Sequence, residues 1–137
     1  YNLQLNAELT VLSACNTGSG KLIKGEGVMS LARGFIHAGC PSVLMSLWSV
    51  DDCATSKIML QFYQHITDGK SKDHALRLAK IDYLSTADRL HQHPYYWSAF
   101  VQVGNTAPLI FKKPFRKLWL IPLIAGVLLA ALRWRAA

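Results

Sequence analysis

Apolar positions along the first hundred residues alternate between short continuous runs and stripes at helical spacing. Leu9, Val11, Leu12 and Ala14 form a short apolar run that predicts a strand ending at Cys15, ahead of the polar turn Asn16-Thr17-Gly18. Val28, Leu31, Ala32, Phe35 and Ile36 fall on one helical stripe within 28–38. Gly39 is placed to end that helix in a left-handed conformation, and Pro41 prevents its continuation. Ser42 to Leu47 is a continuous apolar run, as expected of a strand buried on both faces.

Trp48 to Asp52 reads as the following loop, with Asp51 or Asp52 supplying the N-cap of a second helix. The apolar stripe of that helix is Thr55, Ile58, Met59, Phe62, Tyr63 and Ile66, and Asp68-Gly69 stops it. A third helix is expected to begin after Ser71 and run to about Leu90, with Ala75, Leu78, Ala79 and Leu84 inward, until His91-Gln92-His93-Pro94 breaks it. Ala99 to Val103 closes the series as a strand ended by Gly104-Asn105. Strand, helix, strand, two helices and strand in this order predict an α/β fold, an open and mostly parallel sheet with helices packed on it.

The tail differs. Leu118 to Leu132 holds fifteen uncharged residues, with Trp119 and Trp134 near its ends and Arg or Lys on both sides. A spanning helix needs about 20 apolar residues, and the stems of Arg116, Lys117 and Arg133 can lengthen the run by snorkelling. Residues 118–135 are therefore expected to form one C-terminal transmembrane helix, 108–117 a basic linker and 1–107 the globular part. A helix lying on the membrane is disfavoured because the run is apolar all round. A buried helix of the domain is disfavoured by its place beyond Pro108 and Pro114. The heavier basic cluster before the run implies that the globular part stays cytoplasmic.

Charge confirms this division. The formal charge is +7, yet residues 1–111 carry nine Lys/Arg against eight Asp/Glu, so the excess lies in the tail. A net basic excess confined to the tail points to membrane lipid and away from direct nucleic-acid binding. Three cysteines (Cys15, Cys40, Cys53), with no CxxC pair, fit a reducing intracellular setting and give no zinc spacing. Gly18-Ser19-Gly20-Lys21 fails as a phosphate loop, because Cys15 and Leu22 stand where Gly and Ser or Thr are required. Gly25-Glu26-Gly27 lacks a preceding strand and a third Gly. No cofactor is expected.

Cys15 has two readings. A cysteine next to a buried strand is commonly a core residue. A thiol at the carboxyl end of a strand in a parallel sheet is also where chemistry is usually sited. Asp51 and Asp52 likewise divide between helix capping and recognition of a basic group. Trp48 reads as core more readily than as binding surface. Tyr95, Tyr96 and Trp97 read as packing near a cleft, and Cys40 and Cys53 as structural.

Leu12-Ser-Ala-Cys-Asn-Thr-Gly18, Gly25-Glu-Gly27, Ala38-Gly-Cys-Pro41, Ser46-Leu-Trp-Ser-Val-Asp-Asp52 and Pro94-Tyr-Tyr-Trp97 through Phe100 resemble the C-terminal half of a CHAT domain. That family is caspase-like, is related more remotely to separase, and often follows tetratricopeptide repeats. The resemblance implies a partial domain of a caspase-like three-layer α/β/α sandwich, with a Cys–His dyad cleaving peptide bonds in protein or peptide substrates. Cys15 matches the nucleophile. The partner His of the family lies upstream in a His-Gly motif, and none of His37, His65, His74, His91 and His93 is followed by Gly. The chain is thus expected to be the C-terminal piece of a longer protein, inactive alone, with tetratricopeptide repeats upstream. By analogy with separase, Asp52, beside Asp51, would line a pocket for a basic side chain. A non-catalytic caspase-like interaction module anchored at the membrane is the competing expectation. A membrane-surface adaptor whose basic tail binds anionic lipid is a third.

Overall fold

The computed structural model describes residues 3–12 and 27–111, the side chains of 27–30 excepted. Cys15, the loop around it and the tail 118–135 lie outside the described residues. Among the described residues no helix is long and apolar enough to cross a membrane.

The elements follow in the expected order. They are β1 (Thr10–Leu12), α1 (Gly27–His37), β2 (Ser42–Ser46), α2 (Asp52–Thr67), α3 (Lys72–Thr86), a 3-10 turn (Pro94–Tyr96) and β3 (Phe100–Gly104). The strands form one sheet in the order β1-β2-β3. β1 runs parallel to β2, with Leu12 beside Met45. β3 runs antiparallel to β2, with Ser46 beside Phe100 and Ser42 beside Gly104. The described sheet is therefore mixed rather than mostly parallel. Apolar alternation fixes which faces of a strand are buried and carries no signal for its direction.

β2 is buried along its whole length, as a central strand covered on both faces must be. Its pleat divides the core. Val43 and Met45 pack with Ala32 and Phe35 of α1 on one face. Leu44 packs with Ile58, Phe62, Ala79 and Phe100 in the larger cluster beneath α2 and α3 on the other. Helices on both faces of a small sheet are compatible with part of a caspase-like sandwich.

Two glycines are required by close approach. Gly39 has φ 102° beyond α1, and a Cβ there would lie 2.9 Å from Leu5 O, where the segment before β1 passes. That segment is tied to α1 by Leu5 N–H donating to Ala38 O at 2.6 Å. Gly104 has φ 91°, and a Cβ there would collide with Pro41 O. Both positions favour the one residue without a side chain.

α3 ends at Thr86 and does not reach Leu90. The cause is local. Asp88 Oδ1 accepts the backbone N–H groups of Leu90 and His91 at 3.0 and 2.9 Å, an alternative to helical bonds. Leu90 is 68% exposed, so extending the helix would bring no burial in return. Within α3 the buried positions include Lys72 and Tyr83, which an apolar stripe does not reveal. Tyr63 of α2, expected inward, is exposed.

Candidate active site

The three strands bring three connections to one sheet edge. Because β1 and β2 are parallel, their carboxyl ends lie side by side. The chain leaves β1 there after Leu12, three residues before Cys15 in the sequence. Residues 47–51 leave β2 at the same edge. Antiparallel β3 begins there at Phe100, so the segment 92–99 enters at that edge too. Sites in sheets with parallel strands gather at such carboxyl ends.

The two described loops are clasped together. Trp48 Nε1 donates to Tyr95 O at 2.9 Å, and Tyr95 Oη donates back to Ser49 O at 2.8 Å. Their rings are offset-stacked, with centroids 6.4 Å apart and planes 25° from parallel. Trp48 is 37% exposed, so it forms part of the rim and not of the core expected for it. His93 Nδ1 accepts from Tyr95 N–H at 3.2 Å and so caps the short turn that presents Tyr95. Trp97 Nε1 donates to Gln92 O at 3.0 Å. Tyr95 and Tyr96 meet edge to face at 5.6 Å.

Asp51 and Asp52 stand at the other side of this loop, both exposed. Asp51 is the N-cap of α2, its Oδ2 accepting from Ala54 N–H at 3.0 Å. Asp52 is the first residue of the helix, where its charge also complements the helix dipole. Of the two cysteines expected to be structural, Cys40 is buried, with Sγ donating to Ser42 O and lying 3.1 Å from Thr10 Oγ1. Cys53 is exposed in the first turn of α2. Ala54, its neighbour in that turn, is the residue buried there.

Sequence reasoning missed the clasp because its bonds run to backbone carbonyls far along the chain. A Trp and a Tyr in two polar loops were the only available signal.

A two-faced α/β sheet with loops gathered at its carboxyl edge is compatible with part of a caspase-like domain. The sequence model of the CHAT domain matches residues 1–105. The chain belongs to the CHAT-domain family. It is 31% identical over 108 residues to human tetratricopeptide repeat protein 28 and 28% identical over 108 residues to the mouse protein of that name. Each alignment covers 79% of this chain and 4% of the relative, so the chain spans a small fraction of these proteins.

Proposed function

We propose that this chain is the nucleophile-bearing half of a CHAT-type cysteine endopeptidase acting on protein substrates. The observation that supports this most is the meeting of β1, the 47–51 loop and the 92–99 segment at one sheet edge, in a chain of this family. In this reading Cys15, following β1, supplies the thiolate. A His from the upstream half of the parent protein takes the thiol proton and returns it to the leaving amine. The backbone N–H of Cys15 and that of the Gly beside the His hold the oxyanion. Asp52, beside Asp51, receives a basic side chain N-terminal to the scissile bond, and the Trp48–Tyr95 clasp borders the bound peptide. Repeats upstream recruit the substrate, and residues 118–135 tether the enzyme to a membrane with the globular part cytoplasmic.

Cleavage assays with the parent protein test this. A peptide with Arg before the scissile bond should be hydrolysed, Cys15→Ala should abolish turnover, and Asp52→Asn should raise KM for Arg peptides. Intact turnover in Cys15→Ala would refute the assignment.

A second reading, a non-catalytic interaction module at the membrane, is favoured by the relatives' names, which refer to repeats and not to a peptidase. Under it, the biological output of the parent protein survives Cys15→Ala.

A further inference from the structure

A cleft of about 170 Å³ opens between the start of α2 and the segment that follows α3. It adjoins the rim described above but has its own lining: Cys53 and Ala54 line it, and neither Asp51 nor Asp52 does. Its polar lining is Cys53 and Lys57 from α2, Tyr83 and Thr86 from α3, and Asp88 and His91 from the turn beyond. Ala54 and Ala87 complete the wall, and their small side chains keep the space open.

The imidazole in this cleft is held firmly. His91 Nδ1 lies 2.8 and 2.9 Å from the two carboxylate oxygens of Asp88, and the His91 backbone N–H bonds the same carboxylate at 2.9 Å. The ring also packs on Tyr96, with centroids 4.9 Å apart. With Nδ1 against the carboxylate, Nε2 is the ring nitrogen that does not face Asp88. Lys57 follows Cys53 by one helical turn, on the same face of α2, and brings a cation to the same cleft. An exposed thiol alone would mean little. A thiol sharing one cleft with a carboxylate-fixed imidazole and an ammonium has a base and a binding charge lining the same space.

We propose that this cleft is a thiolation site, at which Cys53 exchanges with a small carboxylate-bearing disulfide of the glutathione type. Cys53 gives its proton to His91 Nε2, and its sulfur attacks one sulfur of the incoming disulfide. The old S–S bond breaks, its electron pair leaves on the departing thiolate, and that thiolate takes up the proton. Cys53 is oxidised into a mixed disulfide, and half of the incoming disulfide is reduced to free thiol. Lys57 pairs with a carboxylate of the bound group. The cleft encloses the atoms around the sulfur, and the rest of the group lies in solvent. This proposal stands whether or not Cys15 is a peptidase nucleophile.

The test treats the full chain with glutathione disulfide at neutral pH and follows adducts at each cysteine by peptide mass mapping. The reference is an exposed thiol introduced by Gln64→Cys, about 16 Å further along α2. Cys53 should be modified about tenfold faster than the reference, and Lys57→Gln or His91→Gln should each slow it severalfold. Lys57→Arg should restore the rate. Lys57 lies on an exposed helix face, so its variants remain informative if His91→Gln disturbs the fold. Equal rates at Cys53 and the reference thiol, or native rates in folded Lys57→Gln, would overturn the proposal.

Discussion

Trp48 and Tyr95 lie 47 residues apart in the chain and hold one another at the sheet edge: the indole N–H binds the Tyr95 carbonyl, and the Tyr95 hydroxyl binds the carbonyl next to Trp48. The clasp joins the loop after β2 to the segment before β3. It therefore holds these two segments of the rim together. Trp48→Phe keeps ring contact and loses one hydrogen bond, which should cost about 0.5–1.5 kcal/mol in urea unfolding. Trp48→Ala loses both and should cost more. Peptide turnover in the parent protein should fall in the same order.

Asp51 is expected to separate capping from recognition. Asp51→Ala removes the acceptor for Ala54 N–H and should cost about 1 kcal/mol. Asp51→Ser restores a cap without a charge, so stability should return nearly to native. If KM for Arg peptides also returns to native, Asp51 acts by capping alone. Asp52→Asn should leave stability within about 0.5 kcal/mol of native.

Two lysines of α3 grip the ends of β3. Lys80 Nζ donates to Phe100 O at 2.8 Å, and Lys72, 1% exposed, donates to Asn105 O at 3.3 Å. Burial lowers the pKa of Lys80 from its ordinary 10.5. The unfolded chain then binds that proton more tightly than the native one, so this residue makes stability rise with pH from its lowered pKa up to 10.5. Tyr83, raised above 10.0 by burial first and then by Asp51 and Asp88, acts oppositely above that value. Subtracting the pH profile of Lys80→Met from that of the native chain should isolate the rising limb.

Asp88 should set an acid limit for the turn after α3. The His91 backbone N–H, and then its side chain, hold this carboxyl below its usual 3.8. The stabilisation is complete above 3.8 and is lost as pH falls through the lowered folded value. Amide resonances of Leu90 and His91 should therefore shift together in acid, below pH 3.8, and Asp88→Ala should show that altered state already at neutral pH.

Much of this architecture was legible in the sequence because its signals are local. Gly39 ends α1 with positive φ, Asp51 caps α2, and Ser42–Ser46 is buried on both faces, each as its own residues imply. The direction of β3 was not legible, since pairing depends on where the chain re-enters the sheet. Trp48 was misplaced because its partner lies 47 positions away. The end of α3 was misjudged because the Asp88 side chain competes with the helix for backbone N–H groups. At the candidate site, the family motifs marked Asp51, Asp52 and Cys15, whereas the exposure of Cys53 and its cleft emerge only when α2 and α3 are packed.

The most direct measurement compares two electrophiles on the parent protein: a peptide-bearing probe with Arg beside the reactive carbon, and the same electrophile without the peptide. Peptide mapping reads the rate at each cysteine. The account predicts that the peptide accelerates labelling at Cys15 by at least about tenfold, and not at Cys40 or Cys53, and that replacing the upstream His removes the effect. Labelling of Cys15 at the same rate by both reagents would contradict it.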